Sequence, residues 1–471
     1  MASKFWKMAH RPQSKGVMCV ACKVIVDGLQ IMLKQNKTDE ELENFVMYAD
    51  EAFFVLERVI VTPHEICGAI IDDCGVAVNP LNVLWNITIP GNKPAVKAWP
   101  SPEGKPKMKI LHLSDIHVDR HYVVGSEADC EKDHPFYEFC CLEYPNDKPT
   151  KINVPAGKWG MPYKCDIPYI TFEALIKQIA EKEKVDYIYI TGDMEAHNIW
   201  DYSKEDTIAN LNNISSVIRH YFSGTPILES VGNHEGVPMD AMAYHGMEEY
   251  DKRNPQWLYD TLANNWKPAL TETALETVKY RASFSVKLKD KLKLISINTV
   301  YCSVMNLYNY INQVDPDGTL NWLIKELMAS EQLKEKVHII SHIPPGDNYC
   351  LKGWSHNFYR IVNRFEGTIA AMFFGHTHND HFQVYYDKMD VKGRPTHVNY
   401  IAPSLTTYSY NNPAYRIYTV DGDYTGSSYV ISWPSFQNCK DYSMADLSPS
   451  SWNNLLKRME TDNDLFQKYL W

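Results

Sequence analysis

The sequence is short of several things, and each shortage removes a class of function. No stretch of the 471 residues approaches the roughly 18 apolar positions that a membrane-spanning helix needs. The opening, MASKFWKMAHRPQSKG, has no apolar core of the signal-peptide kind. Positive charge is outnumbered, with 47 Lys and Arg against 58 Asp and Glu and a net charge of -11. A chain so poor in basic stripes is not built to neutralise a nucleic-acid backbone, so nucleic acid is excluded as its main partner. A phosphate-bearing substrate stays open, provided that metal ions supply the positive charge. The cysteines never fall into the paired CxxC sets of a structural zinc site. Internal repeats and low-complexity segments are also missing.

What the chain does have is cysteine in quantity. Cys19, Cys22, Cys67, Cys74, Cys130, Cys140, Cys141, Cys165, Cys302, Cys350 and Cys439 cluster at close spacings, which points away from the reducing cytosol. Three Asn-x-Ser/Thr sequons, at Asn36, Asn86 and Asn213, agree with a secretory route. The expectation is an exported protein, lysosomal or secreted, whose leader lies outside this chain.

Residues 15–82 read as a small helical unit. Cys22, Val26, Leu29 and Leu33 recur at helical spacing, as do Leu42, Phe45, Ala49, Phe53, Leu56 and Ile60, and Thr38 to Glu41 forms a capping box. Cys19 and Cys22 lie one turn apart on a first helix, and Cys67 and Cys74 two turns apart on a last one. Antiparallel packing of the two would pair Cys19 with Cys74 and Cys22 with Cys67, each bridge contributing on the order of 2–4 kcal/mol. Residues 83–106 carry Pro90, Pro94, Pro100, Pro102 and Pro106, which makes a stiff, extended linker. From 107 to 435 strands and helices alternate, with helices near 169–183 and 205–221, and later strands follow one another with less helix between. That pattern predicts an α/β sandwich of two mixed β-sheets flanked by helices. Residues 436–471 form a C-terminal helical segment, in which Leu455, Leu456, Met459, Leu465 and Phe466 are expected to pack back on the body.

The chemistry lies in five fragments of this body: LHLSDIH, YITGD, SVGNHE, IISHIP and FFGHTH. Each begins with a β-branched or apolar run and ends abruptly in oxygen or nitrogen donors. This is a strand feeding a loop, with the functional residues at the strand's carboxyl end. The donors are Asp115, His117, Asp193, Asn233, His342, His376 and His378. Asp115 with His117, and His376 with His378, are expected on extended segments, where side chains two apart point alike. Asp193 is a natural bridge, because a carboxylate spans two cations. Mixed His, Asp and Asn donors suit zinc, manganese or iron better than magnesium or calcium. Taken singly, a buried His is more often a hydrogen-bonded core residue than a ligand. Five such fragments in this order are a different matter.

The set resembles the calcineurin-like metallophosphoesterases, whose D-x-H, G-D, G-N-H-E/D, H and G-H-x-H blocks match it. The resemblance implies two divalent ions. One would be held by Asp115, His117, Asp193 and His378, and the other by Asp193, Asn233, His342 and His376. Two ions about 3.5–4 Å apart clamp a phosphoryl group and acidify water for in-line attack. The leaving alkoxide then needs a proton, and His234 and His197 are the candidate donors. The purple acid phosphatases, relatives in that superfamily, have a tyrosine where this chain has Ala196, which favours zinc over a mixed iron site.

A narrower resemblance is carried by HLSDIHVD, TGDMEAHNIW, VGNHEGVP, FFGHTHNDHF and APSLTTYSYNNPAYRIY. Together with the helical unit and the linker they are similar to the acid sphingomyelinase family, over nearly the whole chain. The N-terminal unit resembles a saposin-type domain that binds a sphingomyelin bilayer, although the cysteines of its usual middle bridge are missing. The alternative is a disulfide-pinned helical cap with no lipid role. The family framework implies bridges Cys130–Cys140, Cys141–Cys165 and Cys302–Cys350, leaves Cys439 over, and continues past Trp471. The implied reaction is hydrolysis of sphingomyelin to ceramide and phosphocholine at acidic pH, with Tyr408 as the candidate contact for the choline cation. The competing readings are a phosphodiesterase of nucleotides or other soluble diesters, and a lipid-binding or transfer protein with a dead site. Oligomeric state is not legible.

Overall fold

A computed structural model describes residues 50–51, 54–55, 80–95, 107–130, 139–143, 152–199, 201–423, 427–432, 442–444 and 446–470. The first strand, β1 (Lys107–Leu113), alternates exposed and buried residues at its start and is buried throughout its second half. Such a strand enters the core from an edge and ends inside it. After the short β2 (Val118–Asp119) and β3 (Ile167–Pro168) comes helix α1 (Tyr169–Lys182). Phe172, Ile176 and Ile179 form its buried stripe. The central strand β4 (Tyr187–Ile190) is buried at all four positions. Helix α2 (Lys204–Tyr221) starts at Ser203, whose hydroxyl accepts from the Asp206 backbone while Asp206 answers in a capping box. Strand β5 (Ile227–Glu229) completes this half, and helices α3 (Gln256–Trp266) and α4 (Glu272–Arg281) lead on to the other.

The second half runs β6 (Phe284–Lys289), β7 (Leu292–Ser296), helix α5 (Thr319–Leu333), β8 (Lys336–Ile340), helix α6 (Lys352–Arg364) and β9 (Ile369–Phe374). Strands β10 (His381–Tyr386), β11 (Pro395–Ile401), β12 (Arg416–Asp423) and β13 (Ser427–Ser432) follow, and then helices α7 (Pro449–Met459) and α8 (Asn463–Leu470). The strands form one five-stranded sheet, β13-β12-β1-β4-β5, and one six-stranded sheet, β10-β11-β9-β8-β7-β6. Both are mixed: β1, β4 and β5 are parallel, as are β7, β8, β9 and β11, with antiparallel pairs at the outer positions. This is the flanked two-sheet sandwich that the sequence pattern predicts, and the two early helices fall within a residue of their expected spans.

One apolar core joins the two sheets through Ile110, Tyr189, Phe373, Tyr400 and Tyr418 and reaches α1, α2 and α3. A second lies between the six-stranded sheet and helices α5 and α6. The first part of the proline-rich segment is extended but not detached. Ile87 is buried in the second core, its backbone N–H donates to Asn357 Oδ1 at 2.9 Å, and Asn357 Nδ2 donates to the Trp85 carbonyl at 2.7 Å.

Of the N-terminal unit, Asp50, Glu51, Phe54 and Val55 are described and are helical, and Pro80–Asn82 form a short 3-10 turn at its end. Arg253 pairs with Asp50 at 2.5 Å and lies 4.2 Å over the Phe54 ring, and Phe54 meets Tyr308 edge-on. Cys19, Cys22, Cys67, Cys74, Cys439 and Asn36 lie outside the described residues. Asn86 and Asn213 are exposed. Cys130–Cys140, Cys141–Cys165 and Cys302–Cys350 are all bridged, as the family framework implies. In the C-terminal helices Leu455 is buried, but Phe466 is exposed, contrary to expectation. The anchor is Trp452, whose ring packs 4.2 Å from Phe382. Among the described residues no helix is long and apolar enough to cross a membrane.

Candidate active site

The parallel strands β1, β4, β5, β8 and β9 all end on the same rim of the sandwich. Each is followed within three or four residues by one of the predicted donors. The rim is therefore lined by Asp115 and His117, Asp193, Asn233, His342, and His376 and His378. The donors arrive differently from the sequence expectation. Asp115 (φ 49°), His117 (φ 42°), Asp193 (φ 58°), His376 (φ 74°) and His378 (φ 60°) all adopt left-handed backbone conformations. The two D-x-H and H-x-H pairs thus sit in tight loops and not on extended segments. The physical reason is that an extended continuation would carry every second side chain beyond the rim, whereas a coiled loop turns both inward. Left-handed residues without glycine cost energy and cluster where function requires them.

Two glycines make room for this. Gly192 has φ +86°, and a Cβ there would come within 2.6 Å of the Gly232 nitrogen. At Gly232 a Cβ would overlap Asp193 Oδ1 and stand 2.8 Å from Glu235 Oε2. The G-D and G-N turns are pressed together, and Glu235 stitches them by accepting from Gly232, Asp193 and Met194 backbone N–H groups.

Two donor groups result. In the first, Asp193 Oδ2 lies 3.0 Å from His342 Nε2, which is 2.9 Å from Asn233 Oδ1 and 3.2 Å from His376 Nδ1. Asn233 Nδ2 is turned away towards Asp240 at 3.4 Å, so the amide presents its oxygen. In the second, Asp115, His117 and His378 converge, with His378 Nε2 3.5 Å from Asp115 Oδ1. His117 Nε2, 3.7 Å from Asp193 Oδ2, connects the two. The protons of these imidazoles are fixed from outside. His117 Nδ1 donates to the Glu195 carbonyl at 2.6 Å and His342 Nδ1 to the Thr191 carbonyl at 2.6 Å. That turns their Nε2 atoms inward, the usual arrangement of metal-binding histidines. His117 Nε2 is buried and without a hydrogen-bond partner. A cluster of converging nitrogen and oxygen donors of this kind fits two cations.

The charges agree. Burial opposes charge on His342, but the Asp193 carboxylate outweighs it and holds the imidazole up at about 10. Burial likewise works against Asp193, yet His342 and His234 keep its carboxyl well below the usual range. Burial, with Asp193 nearby, pushes Asp115 up to about 7. Burial drives His117 and His376 well down and His378 down to about 4. Three neutral imidazoles beside the ionised Asp193 offer lone pairs to divalent ions, which would displace the protons that His342 and Asp115 hold.

A cavity of about 280 Å³ opens over the donors, lined by Asp193, His197, Asn233, His234, Tyr349, His376, His378 and Tyr408 among others. His234 and His197 stand side by side, ring centroids 4.7 Å apart, each close to His117. His234 Nδ1 donates to the Ala196 carbonyl at 3.2 Å, so its Nε2 is the free atom. His197 is held by Asp166, 3.0 Å from its Nδ1, and Asp166 also accepts from the His197 backbone and the Thr406 hydroxyl. Burial lowers both imidazoles and raises Asp166 well above the carboxylate range. Tyr408 stacks flat on His197, 3.8 Å between centroids and 9° between planes, with Lys164 5.1 Å from its ring. It therefore braces His197 as well as bounding the cavity. Asp166, Thr406 and Tyr349, which sits 4.4 Å from the His376 ring, are not among the residues that the sequence singles out. Only Asp166 had a local sign, its place next to the bridged Cys165.

The model of the calcineurin-like phosphoesterase family matches residues 108–380. Sphingomyelin phosphodiesterase 2 of Caenorhabditis elegans is 50% identical over 98% of this chain and 84% of its own length. Sphingomyelin phosphodiesterase of Homo sapiens is 36% identical over 90% of this chain and 69% of its own length. A cyclic GMP-AMP phosphodiesterase of Bos taurus is 30% identical over 68% of this chain and 69% of its own length. With a rim of metal donors in the family's order and relatives of this similarity, the chain belongs to the calcineurin-like phosphoesterase family, as a metal-dependent phosphodiesterase of the sphingomyelin phosphodiesterase branch.

Proposed function

We propose that the protein hydrolyses sphingomyelin to ceramide and phosphocholine. The observation that carries this reading is the convergence of seven donors from five strand ends under a headgroup-sized cavity, in a chain half identical to a sphingomyelin phosphodiesterase over nearly its whole length. Asp115, His117, Asp193 and His378 would hold one ion and Asp193, Asn233, His342 and His376 the other, with zinc preferred for this His-rich donor set. When bound, the pair supplies charge to polarise the phosphoryl group and to acidify water. The chain's own residues do the rest. His234, its Nε2 free, and His197, oriented by Asp166, face the cavity and are placed to protonate the departing ceramide oxygen. Burial lowers the affinity of both for a proton, and the negative charge of a bound phosphodiester would raise it again. Tyr349 offers an aromatic wall to the choline cation, whereas Tyr408, stacked on His197 and with Lys164 over its ring, bounds the cavity beside it.

The volume suits a headgroup and not a two-chain lipid, so the ceramide must stay outside, at or in a bilayer. The N-terminal unit, read as saposin-like, would hold the protein to that bilayer. Three disulfides support a secreted or lysosomal setting, with Asn86 and Asn213 open to glycosylation and acidic pH the working condition. A second reading, hydrolysis of nucleotide diesters, draws on the cyclic GMP-AMP phosphodiesterase. That similarity covers 68% of the chain, against 98% for the first sphingomyelin relative. The test is one assay near pH 5 with sphingomyelin vesicles and a soluble nucleotide diester in parallel. Preferential release of phosphocholine supports the proposal. Preferential nucleotide cleavage replaces it with the second reading.

A further inference from the structure

Beneath the rim, four polar side chains from the carboxyl ends of the neighbouring strands β1 and β4 stand in single file. His112 Nε2 lies 2.9 Å from Thr191 Oγ1, Thr191 Oγ1 donates to Ser114 Oγ at 2.7 Å, and Ser114 Oγ donates to Asp115 Oδ2 at 2.5 Å. All four are buried. The direction of the file is forced. With Asp115 ionised, as a ligand to a cation is, its carboxylate only accepts, so Ser114 donates to it and Thr191 to Ser114. Thr191 is then left to accept, and His112 must carry its proton on Nε2. His112 Nδ1 correspondingly has no partner, and the ring is enclosed by Phe373 and Tyr418. A second observation points the same way. A Cβ on Gly375 would overlap Ser114 Oγ and stand 2.8 Å from Asp115 Oδ2 and 3.0 Å from Thr191 Oγ1, so the bare glycine of the G-H-T-H turn leaves room for three of the four links.

At its end the file meets the His376 backbone N–H, which reaches both Asp115 oxygens at 3.0 Å. Asp115 Oδ2 is thereby saturated, whereas Oδ1 faces His378. We infer that His112, Thr191 and Ser114 are positioning residues that fix the Asp115 carboxylate with Oδ1 turned to one of the two cations. A one-way chain of donors polarises each link in turn, so its far end, His112, matters to the ion without approaching it. The inference rests on Asp115 being a metal ligand.

The test is zinc binding to the full chain, counted and titrated against a chelating dye, with the melting temperature of the metal-free protein recorded alongside. Ser114→Ala is expected to weaken one of the two ions by roughly 10- to 100-fold and to leave the other unchanged. His112→Leu should do the same more mildly, and His112→Gln, whose amide nitrogen stands where Nε2 was, should restore wild-type binding. Because both act through one file, the double variant Ser114→Ala with His112→Leu should bind no more weakly than Ser114→Ala alone. Wild-type affinity for both ions in Ser114→Ala, or losses that add in the double variant, would overturn the inference. If His112→Leu does not fold, Ser114→Ala decides alone. Asp115→Ala separates the two levels of argument. If it keeps both ions, the ligand assignment itself is wrong, whereas if only Ser114→Ala keeps them, the file alone is.

Discussion

Replacing Gly232 by alanine tests the crowding on which the shared carboxylate depends. The position is not in the left-handed region, so alanine carries no backbone penalty and the effect isolates packing. The added methyl would overlap Asp193 Oδ1 and stand 2.8 Å from Glu235 Oε2, where ordinary contact begins at 3.4 Å. Neither neighbour is free to yield. Asp193 is held by His342 and by the His234 N–H at 2.9 Å, and Glu235 by three backbone donors. Relief therefore requires Asp193 to move by something like 1 Å, and a misplacement of that size costs about 100-fold in rate. The same overpacking costs about 1–3 kcal/mol of stability. The assay is hydrolysis of a chromogenic phosphodiester under saturating zinc, with metal content and melting temperature measured on the same samples. We expect kcat to fall about 100-fold, both ions to bind more weakly because Asp193 serves both, and the fold to persist. A Gly232→Ala enzyme with full metal content and nearly unchanged kcat would show that Asp193 is not the constrained bridge described above.

Three further outcomes follow from the site. Near pH 5 both His342, at about 10, and Asp115, at about 7, are protonated in the metal-free protein and must lose those protons to bind ions. Zinc binding should release about two protons at pH 5 and about one above pH 8, readable by calorimetry in buffers of different ionisation enthalpy. Release that does not change over that range would contradict the assigned protonation states. His234→Ala should lower kcat on sphingomyelin by roughly 10²- to 10⁴-fold with both metals retained. On a nitrophenyl ester, whose leaving group needs no proton, the loss should largely vanish. If His197→Ala shows that leaving-group dependence and His234→Ala does not, the roles are reversed. Tyr408→Phe should keep activity and Tyr408→Ala should lower it, since the flat stack on His197 needs the ring and not the hydroxyl. Equal losses from the two variants would refute that role of the ring.

Much of the site was legible because each donor follows its own strand within a few residues. Strand and donor together make a local pattern that one sequence carries in full. The sandwich was legible for the same reason, from strands such as YIYI at β4 whose four buried positions need a layer on both faces. What the sequence hid was the backbone at the donors. Nothing in D-I-H or H-T-H signals left-handed conformations at non-glycine residues, and extended geometry was the natural expectation. Asp166 and Thr406 were hidden because their meeting is tertiary, across 240 residues of chain. Tyr349 is one of 30 tyrosines, and only its place beside His376 distinguishes it. Nothing in the pattern LHLSD sets His112 apart, because its link to Asp115 needs Thr191 from another strand end. Phe466 was misassigned because amphipathic spacing gives the face of a helix and not which residues the body covers.

The most direct test of the whole account is phosphocholine release from sphingomyelin vesicles by the purified full chain, before and after removal of metal and again after zinc is returned. The account predicts turnover that disappears with the chelator, returns with zinc at about two ions per chain, and is absent from Asp193→Ala at any zinc concentration. Turnover that survives chelation, or an Asp193→Ala protein as active as the wild type, would contradict it.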